Sequence, residues 1–170
     1  SVKKGIDETK TDISNIGKDG KDAKTSVEQA KQARYSKAEN WRGDNRGRSG
    51  IILDAVQRTE EKAADRKARH ANRIIALSTV SRKAVRLVGA KGLSDKIKDT
   101  AERKANKIMN SESKLGKVAK AAAKGSFEFA DGVEKTVNAG ISNAKKSAIA
   151  IGKVAMVPVA GVHAIGSLTL

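Results

Sequence analysis

The chain has 170 residues, a formal net charge of +16 and a hydrophobic content of 38%, much of it alanine, with only Tyr35, Trp41, Phe127 and Phe129 as aromatics. It has no cysteine, which excludes a disulfide framework, thiolate catalysis and cysteine-based zinc sites. Large side chains supply about 1.5–3 kcal/mol each on burial and alanine far less, so helices of this composition need one another or a larger assembly.

The charge is spread unevenly. Residues 51–110 carry half of it, whereas residues 147–170 hold Lys153 and no acid. A charge this far from neutrality repels itself unless a polyanion, nucleic acid or anionic lipid, neutralises it. No signal-peptide pattern opens the chain, and Ser1 fits either methionine removal or a processed start.

Residues 1–38 form a polar segment with a thin apolar seam. Val2, Ile6, Thr9, Ile13, Ile16, Ala23, Val27 and Ala30 follow a four-three spacing in which Gly20 fills one slot. That is the pattern of a helix laid along a partner. Gly5, Gly17 and Gly20 each cost about 1 kcal/mol against alanine, so partial order is expected, with helix mainly over 22–38. Residues 39–50, ENWRGDNRGRSG, lack an apolar period and read as a Gly/Arg-rich hinge loop. Within it, Arg42-Gly43-Asp44 is a chance-level tripeptide. Trp41 reads first as an anchor onto a neighbouring helix and second as a stacking platform for a base or headgroup.

Residues 51–125 are the basic helical region. One long helix spans 51–88, apolar at its ends and charged through EEKAADRKARHANR, where Asp65 and Arg69 make a favourable pair four apart. Gly89 and Gly92 stand where a helix stop is expected. A second helix is predicted from an N-cap at Ser94 to about Asn110, with Leu93, Ile97, Ala101, Ala105 and Ile108 on its apolar face. A third, over 111–124, sets Leu115, Val118, Ala119 and Ala122 beside Lys114, Lys117, Lys120 and Lys124. Those lysines are the candidate contact with an anionic membrane surface.

Residues 126–170 carry the most regular stripe: Ala130, Val133, Val137, Ile141, Ala144, Ala148, Ile151 and Ala155. Gly140, Ala144, Ala148 and Gly152 put a small residue at every fourth position and form a candidate helix–helix interface. Pro158 is expected to end or kink this helix. The apolar tail, residues 147–170, supports three readings: a bilayer span, burial against partner subunits, or conditional insertion. Burial against subunits suits the small residues best.

Chemistry is sparse. His70 and His163 read as a solvated and a packed residue, and no HExxH, phosphate-cradling loop or nucleophile–base arrangement occurs. Neither a cofactor nor a metal is expected, and the chain reads as non-enzymatic. The nucleic-acid-binding candidates are Arg58, Arg66, Lys67, Arg69, Arg73, Arg82, Lys83, Arg86 and Arg103, where the positive charge is densest.

The expectation is an all-α fold, an extended array of long alanine-rich amphipathic helices without a sheet, ordered within a larger assembly. Its function is that of a structural protein contacting nucleic acid without sequence preference and pairing with protein subunits, including copies of itself. A virion-internal or DNA-ejection protein of a bacteriophage meets these requirements, and its location would be the virion. The alternative is a membrane-associated, pore-forming or peripheral toxin-like protein making conditional membrane contact.

Overall fold

A computed structural model describes the backbone of residues 2–166 and the side chains of residues 5–146. Among them lie four helices and no strand: α1 (Val2–Asp44), α2 (Gly50–Leu87), α3 (Lys91–Asn110) and α4 (Lys114–Gly166). The all-α expectation holds. The chain divides into two units, Ser1–Ala123 and Lys124–Leu170.

In the first unit α2 is the central element and packs on both α1 and α3, which touch each other far less. The α1–α2 pair is antiparallel: Asp19 meets Arg82, Tyr35 meets Asp65 and Arg42 meets Asp54. Short connections fold α3 back along α2 and so beside α1 in the same direction.

The interior is built of small residues. Val27, Ala68, Ala71, Ile75, Ala105 and Met109 form the core cluster, with Ala23 and Ala30 packed against it. Among the described residues no large side chain is completely enclosed. Alanine at these positions lets backbones approach closely but gives little transfer free energy per residue.

The seam read from residues 1–38 is the buried face of α1: Ile16, Gly20 and Val27 are buried, and Thr9, Ile13, Ala23 and Ala30 are half-buried. Ile6 is 50% exposed, and the side chain of Val2 lies outside the described residues. Helix extends well beyond the expected 22–38. The seam's packing on α2 offsets the helical penalty of the three glycines, which periodicity within one helix cannot reveal.

The expected 39–50 loop shrinks to residues 45–49. Two tertiary contacts and one local bond hold 39–44 helical: the Trp41 ring lies under Lys120 Nζ, 5.9 Å from its centroid; Arg42 pairs with Asp54 at 2.7 Å; and, within the last turn, Asn45 Nδ2 donates to the Trp41 carbonyl at 2.8 Å. The chain then turns at Gly47, whose φ of +92° favours glycine.

The long helix predicted over 51–88 is α2, and it stops at Gly89 (φ +78°), where Ala90 N–H donates back to the Val85 carbonyl at 3.1 Å. This is the six-to-one bond of a Schellman-type ending. Gly92 is not part of the stop and lies inside α3.

Ser94 is not an N-cap. It is buried within α3, three residues into the helix, and its N–H donates to the carbonyl of Ala90, the actual cap. The buried face of α3 is Ser94, Ala101, Ala105 and Met109, whereas Leu93 is 52% exposed. The face is rotated by about one position from the arc drawn through the larger apolar residues.

The start of α4 departs in the same sense. Leu115 and Val118 point outward at 60% and 66% exposure, and the buried positions are Ser113, Gly116 and Ala123. Ser113 is the N-cap: its Oγ accepts the Gly116 N–H at 3.0 Å and its carbonyl the Lys117 N–H at 2.9 Å. A Cβ at Gly116 would meet the Glu60 carboxylate, and that flexible side chain would have to shift to make room. Helix α4 runs through both Gly125 and Pro158, so neither ends it.

Candidate nucleic-acid interface

On α2 the core face and the charged face are opposite each other. At 3.6 residues per turn, the buried Ala64, Ala68, Ala71, Ile75 and Arg82 share one side of the helix. Arg58, Lys62, Arg66, Arg69 and Arg73, spaced four-four-three-four, share the other and are all exposed. Among the described residues none of the five is paired with a carboxylate. They form a straight cationic stripe about 22 Å long at 1.5 Å per residue.

The remaining predicted cations do other work. Arg82 is buried and donates to Asp19 Oδ2 at 2.8 Å, Lys98 reaches the same oxygen at 3.1 Å, and Arg86 pairs with Asp12. The Arg82 hydrogen bond, helped by Lys98 and opposed by partial burial, holds the Asp19 carboxyl below the usual carboxylate range. These pairs tie α1 to the far end of α2. Lys67 points to the α3–α4 connection, where it and Arg34 donate to the Ser111 carbonyl; Arg34 Nε also donates to the Met109 carbonyl at 2.7 Å. Two cations thus cap the orphan carbonyls at the C-terminus of α3. Burial, reinforced by neighbouring Arg34, lowers the Lys67 pKa. Lys83 is half-buried over Gly17, and Arg103 is exposed on α3 with its Nε donating to the Asp99 carbonyl at 3.3 Å.

Four of the nine predicted residues, Arg58, Arg66, Arg69 and Arg73, therefore fall on the stripe. Lys62 was missed, although its spacing of four from both Arg58 and Arg66 marks it. The expected Asp65–Arg69 pair is replaced: Asp65 accepts the Tyr35 hydroxyl at 2.6 Å, and that bond, with burial and the nearby carboxylates, pushes the phenol up to about 12. This leaves Arg69 directed outward.

The candidate membrane lysines face acids in three cases of four. Lys117 pairs with Glu112, Lys120 with Glu60 at 3.1 Å, and Lys124 with Glu128 at 3.8 Å, while Lys114 is exposed. A cleft of about 440 Å³ beside Lys117 and Lys120 is lined by cations and acids together, including Arg34, Glu60 and Glu112. Of the candidate small-residue interface, Gly140 and Ala144 are exposed; the side-chain positions of Ala148 and Gly152, like His163 and the apolar tail, lie outside the described residues. His70 is exposed on α2. Among the described residues no cluster of histidine and acids is arranged to hold a metal, and no helix is long and apolar enough to cross a membrane.

No protein-family model, curated protein or solved structure matches the chain significantly.

Proposed function

We propose that the chain is a non-enzymatic structural protein that binds nucleic acid through its phosphate backbone, with the α2 stripe as the contact surface. The observation that carries this reading is the separation of roles among cations on one helix. Arg82 and Arg86 are consumed by internal acids, while Arg58, Lys62, Arg66, Arg69 and Arg73 stand exposed in a row, backed by an alanine core on the other face. A row about 22 Å long covers roughly six base pairs at 3.4 Å per pair, enough for one cation to meet each of five phosphates. Such contacts position a duplex and carry no sequence information.

The setting that suits this surface best is a larger assembly holding nucleic acid at high density, most concretely the interior of a bacteriophage particle or its DNA-ejection apparatus. Exposed Leu77, Val80 and Leu87, at 69%, 67% and 68%, continue the same face of α2 beyond the stripe and favour a chain that packs against other subunits.

Filter binding with two unrelated duplexes tests the proposal. Reversing two stripe charges (R66E/R69E) should lower affinity for both duplexes at least tenfold, whereas reversing exposed Lys18 and Lys24 on α1 should change it little. Equal losses in the two variants, with helicity intact in both, would reject the stripe as the contact surface.

A further inference from the structure

In the second unit, residues 129–146 of α4 are exposed apart from a half-buried Asp131, and they are amphipathic. Phe129, Val133, Val137 and Ile141 stand 75%, 47%, 52% and 49% exposed along one side of the helix, and Gly140 and Ala144 complete the stripe. A solvated apolar stripe of this length on one helix needs a covering surface. The charges at its margin identify the cover. Glu134 and Lys145 flank the same edge of the stripe at opposite ends of it, and neither has an ion-pair partner among the described residues.

The geometry points to a second copy of the same helix, docked antiparallel and crossing near Gly140. In that arrangement Val133 of one copy lies over Ala144 of the other, and Val137 over Gly140, so each larger residue meets a small one. Gly140 has nothing within 4 Å of where a Cβ would project, leaving room for the second backbone. Glu134 of each copy then falls beside Lys145 of the other, twice by symmetry. A parallel pairing loses both matches, setting Glu134 against Glu134 and Gly140 against Gly140. This self-pairing rests on the second unit alone and stands whether or not the α2 stripe binds nucleic acid.

The absence of native cysteine makes the test direct. Single substitutions Gly140→Cys and Val133→Cys in the full chain, oxidised without nucleic acid, should behave differently. In the Gly140→Cys chain the new thiols of two copies meet near the crossing point and form a disulfide-linked dimer, whereas Val133 positions lie about 16 Å apart along the axis and stay unlinked. Cross-linking from both positions would establish a parallel pair and overturn the proposal, as would cross-linking from neither. Sedimentation of Glu134→Lys and Lys145→Glu provides an independent arm: each should weaken self-association severalfold, and the double exchange should restore it. A monomer at every concentration, or no recovery in the double variant, would also overturn it.

Discussion

Gly20 offers a substitution whose sign the structure decides. In a helix interior, replacing glycine with alanine normally stabilises by about 0.5–1 kcal/mol, because the unfolded chain loses freedom. At Gly20 an added Cβ would lie 2.5 Å from Thr79 Oγ1 and 3.3 Å from its Cγ2. Thr79 cannot swing away cheaply: it is β-branched, and its hydroxyl donates to the Ile75 carbonyl at 2.9 Å. Overpacking of this kind costs about 1–3 kcal/mol, which exceeds the intrinsic gain, so Gly20→Ala should destabilise the chain by up to about 2 kcal/mol. In a Thr79→Ala background the two closest atoms are gone, and the same change should become neutral or stabilising. The coupling between the two sites is then about 1–3 kcal/mol, readable from urea midpoints in a double-mutant cycle. A Gly20→Ala chain more stable than the parent, or effects that simply add, would show that α1 does not pack on α2 at this register.

The sole tyrosine should titrate late: ultraviolet absorbance of the folded protein should place its phenolate transition near about 12, and Asp65→Asn should bring it back toward the ordinary 10.0. Because the folded value is raised, the Tyr35–Asp65 bond contributes fully below the unfolded pKa and is lost as pH climbs from about 10 to about 12. Asp19 has the opposite sign: its lowered value means stability present above the ordinary 3.8 and lost as pH falls through the folded value, so Asp19→Asn should flatten the acid limb of a pH–stability curve. Arg82→Gln should destabilise by about 1–3 kcal/mol in thermal unfolding while leaving the salt dependence of nucleic-acid binding unchanged, since Arg82 faces inward.

How much of this was legible beforehand depends on which partner each residue faces. The span of α2, its stop at Gly89 and the slot at Gly20 follow from local periodicity and turn chemistry, which the sequence carries directly. The buried faces of α3 and early α4 do not. The arc drawn on α3 does catch Ala101 and Ala105. Tracing it through Leu93, and that of α4 through Leu115 and Val118, weights size, whereas close helix packing buries Ser94 and Gly116 and leaves those three larger residues outside. Arg73 and Arg82, nine residues or two and a half turns apart, fall on opposite faces of α2, and that much the helical period carries. Which acids meet Arg82 and Arg86 it does not carry, because that depends on the antiparallel register of α1, which delivers Asp19 and Asp12 to one end of α2. The 39–44 extension of α1 was hidden for the same reason, since Lys120 and Asp54 hold it from far along the chain.

The most direct measurement of the central claim is the salt dependence of duplex binding. Five exposed cations on α2, each displacing a counterion from one phosphate, give a slope of log affinity against log salt of about −4.5, or about 500-fold weaker binding between 50 and 200 mM. Neutralising one stripe residue, as in Arg66→Gln, should reduce the slope by about 0.9 for every duplex tested. A slope near zero, or one that Arg66→Gln leaves untouched, would contradict the assignment of the stripe to nucleic acid.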